Sequence, residues 1–216
     1  MKFDWIASQA GPIAGLFWSH CVLSVLPVMI GLLLALPLGW AAQRSGRYKP
    51  GLLGAAGLLY TIPALALFVL LPAILGTKIL DPINVVVALT LYTLALLVRT
   101  VSDGLDSVPE ETLQAANAMG YRPLHRLLSV ELPIAVPVIA ANLRVAVVSN
   151  VSVVSVAALV GTPQLGTLFT QGMQLQFLTP VVTGIALCLL LAIILDGLVV
   201  LIAGRLTSWQ PRRSGL

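Results

Sequence analysis

Charge is what this 216-residue chain has least of: 9% of its residues are charged, against about 25% in an ordinary soluble domain. A globule of this size could not cover its surface in water with so few charges. The 58% hydrophobic content and the mean hydropathy of +1.01 point the same way. Cysteine is nearly absent. Cys21 and Cys188 both sit inside apolar runs, where cysteine behaves as a small hydrophobe, and two such residues make no disulfide framework. His20 and His125 have no metal-ligand spacing and read as structural or surface residues. No Walker loop, paired metal ligands or serine nucleophile elbow occurs, and there is no internal repeat or low-complexity tract. These absences exclude a soluble enzyme, a secreted disulfide scaffold and a disordered chain. A cleavable signal peptide is not expected either. Asp4 and Trp5 interrupt the N-terminus, and the first long apolar run reaches full spanning length and stays as an anchor.

What is present is a series of charge-free stretches. A spanning helix needs about 20 apolar residues, so five spans use about 100 positions and leave room for one substantial polar segment. The reading is an all-α integral membrane protein, one transmembrane domain over 1–216, with spans at about 19–42, 52–75, 83–99, 133–160 and 177–203. From Val145 to Leu195 no charge occurs, too far for one crossing of a ~30 Å core; Gly161-Thr162-Pro163 and Gln171–Gln176 divide it. Each span is expected to be a helix, which alone satisfies a lone crossing segment's backbone. Pro63, Pro72 and Pro137 should break or bend theirs.

The formal charge of +4 would hint at nucleic acid in a soluble protein, but here it is a topology signal. Arginine and lysine collect in cytoplasmic loops. With the N-terminus outside, nine basic residues fall on the inner side: Arg44, Arg47, Lys49, Arg99, Arg122, Arg126, Arg205, Arg212 and Arg213. Only Lys2 and Lys78 lie outside, and Arg144 stays in a span. The C-terminus is then cytoplasmic.

The inner segment at about 100–132 holds five of the eight acidic residues. Ser107-Val108-Pro109-Glu110 reads as a helix start, with Ser107 as cap and a glutamate three residues on. Glu110 and Glu111 suit the positive end of the helix dipole, and Gly120 supplies a left-handed stop. Tyr121-Arg122-Pro123 permits a second helix, and Leu132-Pro133 enters the next span. Arg126 reads as a loop residue apart from the turn.

Gln114-Ala115-Ala116, three residues, Gly120, nine residues, then Val130-Glu131-Leu132-Pro133 resembles the EAA loop of bacterial ABC importer permeases. That pattern runs Glu-Ala-Ala, three residues, glycine, nine residues, Ile-x-Leu-Pro, so Gln114 and Val130 depart from it. The glutamine removes a charge and any ion pair made there. Thr61–Phe68 looks like the second-span signature of osmoprotectant permeases for glycine betaine, choline and carnitine. Leu91-Tyr92 and Val98-Arg99-Thr100 continue the likeness, as do Glu131–Ile139 and Asn142-Leu143-Arg144. Gly161-Thr162-Pro163-Gln164-Leu165-Gly166 resembles a family Gly-Ala-Gly-Gly-Leu-Gly altered at both central positions.

The resemblance implies a MetI-like permease fold in a bacterial inner membrane. It implies a coupling loop that docks on an ABC ATPase subunit through Gln114, Ala115, Ala116, Gly120, Leu132 and Pro133. The partners it implies are an ATPase dimer that holds the ATP, a second permease, identical or related, an extracytoplasmic substrate-binding protein and membrane lipid. This chain binds no cofactor itself. A methionine or other amino-acid permease is the alternative substrate reading; a non-transporting scaffold or a passive channel is the alternative of another class. Within the spans, Ser149, Asn150, Ser152 and Ser155, with Arg144, are candidates for lining a path, or else polar glue between helices. Asp196 is a candidate partner for an arginine. Tyr60 and Tyr92 could face a quaternary ammonium through cation–π contact, or serve as interfacial anchors.

Overall fold

The computed structural model describes residues 2–209; Arg212 and Arg213, counted above, lie outside that range. All regular structure among the described residues is helical. A short α1 (Phe3–Ser8) precedes the long α2 (Ala10–Arg44), and a 3-10 turn at Gly46–Tyr48 leads to α3 (Lys49–Thr61) and α4 (Ala64–Leu75). Next come α5 (Pro82–Asp106) and the small α6 (Glu110–Ala118). Helix α7 (Pro123–Arg126), a π-turn at Leu127–Glu131, α8 (Leu132–Val156) and a 3-10 turn at Ala157–Val160 follow one another without a gap. Helices α9 (Thr167–Gln174) and α10 (Leu178–Leu206) are the last among the described residues. Among the described residues four helical runs are long and apolar enough to cross a membrane: α2, α5, Pro123–Val160 and α10. The pair α3 and α4 makes a fifth if counted as one span.

That pair is the span expected at 52–75, broken at Pro63 as the proline predicts. Its two halves meet at 99°. Ile62 (ψ 130°) and Pro63 (ψ 131°) are both extended, because a residue before proline is pushed out of the α region and Pro63 has no N–H to offer the preceding turn. Pro72 and Pro137 instead sit inside continuous helices.

Helix α5 is the centre of the bundle. Of its apolar stretch 67% is buried, against 11% for α10. Against it lies α2, brought close by two glycines: a Cβ on Gly31 would stand 2.8 Å from Thr93 Cγ2, and one on Gly39 2.6 Å from Val101 Cβ. One layer of core, with Leu23, Phe68, Leu71, Val85, Leu89 and Val154, fills the end nearest the α4–α5 connection. A second, with Ala35, Leu97, Val101, Leu105, Ala135 and Ile139, fills the other end. Helix α10 packs on α2 and α8 through Val28, Val147, Val151, Leu191 and Leu195.

The start of α5 is well marked. Asp81 accepts from Ile83 N–H at 3.0 Å, with Pro82 in the first turn, a side-chain cap that satisfies one of the helix's free donors.

Candidate functional site

The segment between α5 and α8 is built as two helices around one turn. Ser107 does not cap α6. Its Oγ donates to Gly104 C=O at 2.6 Å, serving the end of α5, and Pro109 stands at the start of α6 with no side-chain cap. A serine whose hydroxyl can reach its own preceding turn takes that bond first. Glu110 and Glu111 occupy the first turn of α6, where the dipole favours them. The stop is as expected at Gly120, whose φ is +81°. Gly120 N–H donates to Asn117 C=O at 2.9 Å and Tyr121 N–H to Ala116 C=O at 3.2 Å, the paired bonds of a Schellman stop.

Arg126 is not the bystander that its position in the loop suggested. Its Nε donates to Glu131 Oε1 at 2.7 Å and its Nη1 to Asn117 Oδ1 at 2.6 Å, tying α6 to the base of α8. Glu131 is 2% exposed. The π-turn at Leu127–Glu131 lets the helix absorb Pro133, whose ring and missing N–H would strain a regular α ladder. The fourth span's helix therefore begins near Pro123, ten residues before Pro133.

The motif residues divide. Gln114, Ala115 and Gly120 are exposed and Leu132 and Pro133 half-buried. Ala116 is buried within the chain, so it supports the turn rather than offering surface. Beside the exposed motif residues stand three large apolar side chains facing outward, Met119 at 69%, Leu124 at 58% and Leu128 at 57% exposed.

The polar residues expected along the fourth span do not form one line. Arg144 makes a two-pronged ion pair with Asp196 of α10, at 2.7 and 2.8 Å. Ser155 Oγ donates to Ser152 C=O at 2.5 Å within its own helix, and Ser152 lies on an exposed face. Only Ser149 and Asn150 meet a common space. That space is a recess of about 240 Å³ at the Ile62–Pro63 break, lined also by Tyr60, Ile62, Leu89 and Tyr92. The two tyrosine rings stand edge to face, centroids 5.6 Å apart at 85°. Tyr92 donates its hydroxyl to Ile62 C=O, which fixes its ring against the break. Asn150 Nδ2 is spent inward, on Thr93 Oγ1 at 3.2 Å and Ser24 C=O at 3.5 Å.

Buried His20 is structural. Its ring lies 2.9 Å from both Gln164 Oε1 and Val151 C=O, joining α2 to α8 and to the turn before α9. Neither this link nor the Arg126 clamp could be read from spacing, because the partners are brought together only by the fold.

Comparison with known proteins gives a consistent result. Residues 27–208 match the model of the family described as "Binding-protein-dependent transport system inner membrane component". The osmoprotectant import permease protein OsmW of Salmonella typhimurium is 36% identical over 197 residues, 90% of this chain and 91% of the relative. The glycine betaine/carnitine/choline transport system permease protein OpuCD of Bacillus subtilis is 30% identical over 168 residues, 78% of this chain and 72% of the relative. Among solved structures, the inward-facing MetNI methionine ABC transporter superposes with a TM-score of 0.77 over 95% of this chain and 99% of the matched chain. At 21% identity, that likeness speaks for the fold.

Proposed function

This chain belongs to the binding-protein-dependent transport system inner membrane components, and we propose that it is the permease of an ATP-driven importer for methylated ammonium solutes such as glycine betaine, choline or carnitine. The observation that carries the transport role is α6. It is a short helix set between two spans, closed by the Gly120 stop, with Met119, Leu124 and Leu128 left outward on an otherwise polar segment. Exposed apolar groups of this size on a polar element mark a contact surface. An ATPase subunit is the partner that fits, since this chain carries no nucleotide-binding motif of its own. Gln114, Ala115 and Gly120 sit on that surface, while Ala116, Leu132 and Pro133 hold it in shape.

The assembly has two permease copies, identical or related, two ATPase subunits on the α6 side and a binding protein on the other. Hydrolysis belongs to the partner; this chain converts the partner's closure into alternating access. The orientation is N-terminus out, supported by the nine-to-two basic asymmetry and the positive-inside rule. The solute class rests on the relatives named above. Reconstituted with its own ATPase and binding protein, the complex should hydrolyse ATP faster when glycine betaine, choline or carnitine is added. Stimulation by methionine or another ordinary amino acid, with no response to the three ammonium solutes, would overturn the solute class and leave the importer role standing.

A further inference from the structure

Most polar groups of the bundle interior answer one another. The buried hydroxyls of Ser24, Thr90, Ser102 and Thr162 are unpaired singly and line no recess, whereas the recess at the Ile62–Pro63 break gathers several unpaired polar groups in one space. A helix end leaves its last carbonyls without intrahelical partners. Here Ile62 and Pro63 are extended, so Ala64 and Leu65 cannot return their N–H groups to Tyr60 and Thr61. The negative end of the α3 dipole is therefore open at the rim. Asn150 is 4% exposed and has spent its amide nitrogen on the bundle, so its carbonyl oxygen is the polar atom left for the recess. The Tyr60 and Ser149 hydroxyls have no hydrogen-bond partner among the described residues, whereas Tyr92 is held on Ile62 C=O. In an edge-to-face pair the edge-on ring keeps both of its own faces free.

We propose that this recess is a transmembrane subsite for a quaternary or tertiary ammonium group, with Tyr60 and Tyr92 supplying π faces and the α3 end and Asn150 supplying carbonyl oxygens. The chemistry selects against other cations. No cluster of His, Cys, Asp or Glu able to hold a metal occurs among the described residues, and no carboxylate lines the recess. A methylated ammonium donates few or no hydrogen bonds and spreads its charge over methyl groups. Aromatic faces are the usual means of recognising it, and the apolar walls of Ile62 and Leu89 accept the methyls. The solute's hydroxyl or carboxylate meets the Tyr60 and Ser149 hydroxyls. The recess, at about 240 Å³, is below the roughly 300–1,000 Å³ of drug-sized sites and suits a small solute. Tyr92 lies about 15 Å from the Pro82 end of α5 at 1.5 Å per residue, half of a ~30 Å hydrocarbon core. A solute held there is midway across. The inference rests on the solute class proposed above.

The test is uptake of labelled glycine betaine and choline by proteoliposomes holding the permease, its ATPase and its binding protein. Wild type is compared with Tyr60→Leu, Tyr92→Leu, Tyr60→Phe and Tyr60→Trp at matched complex abundance. Because the binding protein is the same throughout, differences arise in this chain. Both leucine variants should lower maximal uptake about tenfold, the size of a desolvated cation–π contact, while the half-saturating solute concentration, set by delivery, holds. Tyr60→Phe and Tyr60→Trp should keep most of the rate. Leucine variants within about twofold of wild type, or aromatic variants as impaired as leucine, would overturn the subsite, the second outcome showing that Tyr60 acts through its hydroxyl and not through its ring face. If wild type moves neither solute, the solute class fails first and the subsite with it. If wild type moves them and the leucine variants are unaffected, only the subsite falls.

Discussion

The Arg126 guanidinium bonds Asn117 on one side and Glu131 on the other, so a single side chain holds α6 against the foot of α8. Glu131 is buried, and removing one member of a buried pair costs about 3–5 kcal/mol because the other charge is stranded. Arg126 keeps some contact with water, which lowers the expectation to about 2 kcal/mol for Arg126→Ala. Glu131→Gln still accepts from the guanidinium and should cost less. Hydrogen exchange over residues 110–131 is the measure: Arg126→Ala should speed it by at least about tenfold, and unchanged exchange would show that the clamp does not hold α6. Residue-scale pairings of this kind were invisible in the sequence. Gln164 stands where the resembling pattern has glycine, an alteration whose role spacing alone does not give. In the fold it accepts from Gly166 N–H, meets His20 and donates to Ser155 C=O, so the altered residue is a junction. Its partner His20 is 144 positions away, and no local rule links such residues.

Elements were legible where their cause is local. The α6 stop needed only a residue free to adopt positive φ, and the start of α5 needed only Asp81-Pro82. Span ends were read short, because charge marks where lipid ends and not where a helix ends. Helix α5 runs past Arg99 and Asp103, which stand 3.8 Å apart one turn from each other. Helix α2 begins at Ala10, about nine residues before the first expected span, since Pro12 falls in its first turn, where the missing N–H costs no intrahelical bond. The Ser107 cap failed because the hydroxyl had a nearer acceptor. Pro63 was flagged, but the size of the bend depends on what α4 packs against, and Phe68 and Leu71 sit in the same core as Leu23 and Leu89.

The turn itself can be tested without touching any packing surface. A Cβ on Gly120 meets nothing within 4 Å, yet φ is +81°, a conformation that costs a non-glycine residue about 1–2 kcal/mol and a β-branched one more. Gly120→Val should therefore unsettle the Schellman stop alone. Gly46, with φ +52° and the same open surroundings, gives a strain-matched control in the turn between α2 and α3. Gly120→Val should cut ATPase co-purification and uptake at least about fivefold, on the order of the 1–2 kcal/mol of strain, while Gly46→Val changes both far less. Equal effects of the two would mean that α6 is not the docking element.

On the scale of the whole molecule, two sets of contacts fix which connections share an end of the bundle. Lys49, at the start of α3, pairs with Asp106 at the end of α5, placing the Gly46–Tyr48 turn and the α6 segment together. At the opposite end, Lys2 N–H donates to Thr179 Oγ1 at 3.2 Å, and Gly161 lies against Leu80. The N-terminus, the α4–α5 connection and the turns beside α9 thus gather there. The first end holds Arg44, Arg47, Lys49, Arg122 and Arg126; the second holds Lys2 and Lys78. The proposed orientation puts the basic end, and α6 with it, in the cytoplasm, and it requires the bent α3–α4 pair to cross as one span. Single cysteines at Arg47, Lys78 and Arg122, all exposed, decide it in a background where Cys21 and Cys188 are alanine. In intact cells an impermeant maleimide should label Lys78→Cys, and should reach Arg47→Cys and Arg122→Cys only after permeabilisation. Labelling of Arg122→Cys from outside would invert the molecule and remove α6 from any cytoplasmic ATPase. Protection of Lys78→Cys together with Arg47→Cys would mean that α3 and α4 dip in and return on one side, leaving four crossings instead of five. In that case both termini would face the same way, and the Tyr60–Tyr92 recess would lie within a re-entrant loop, open to one side of the membrane only.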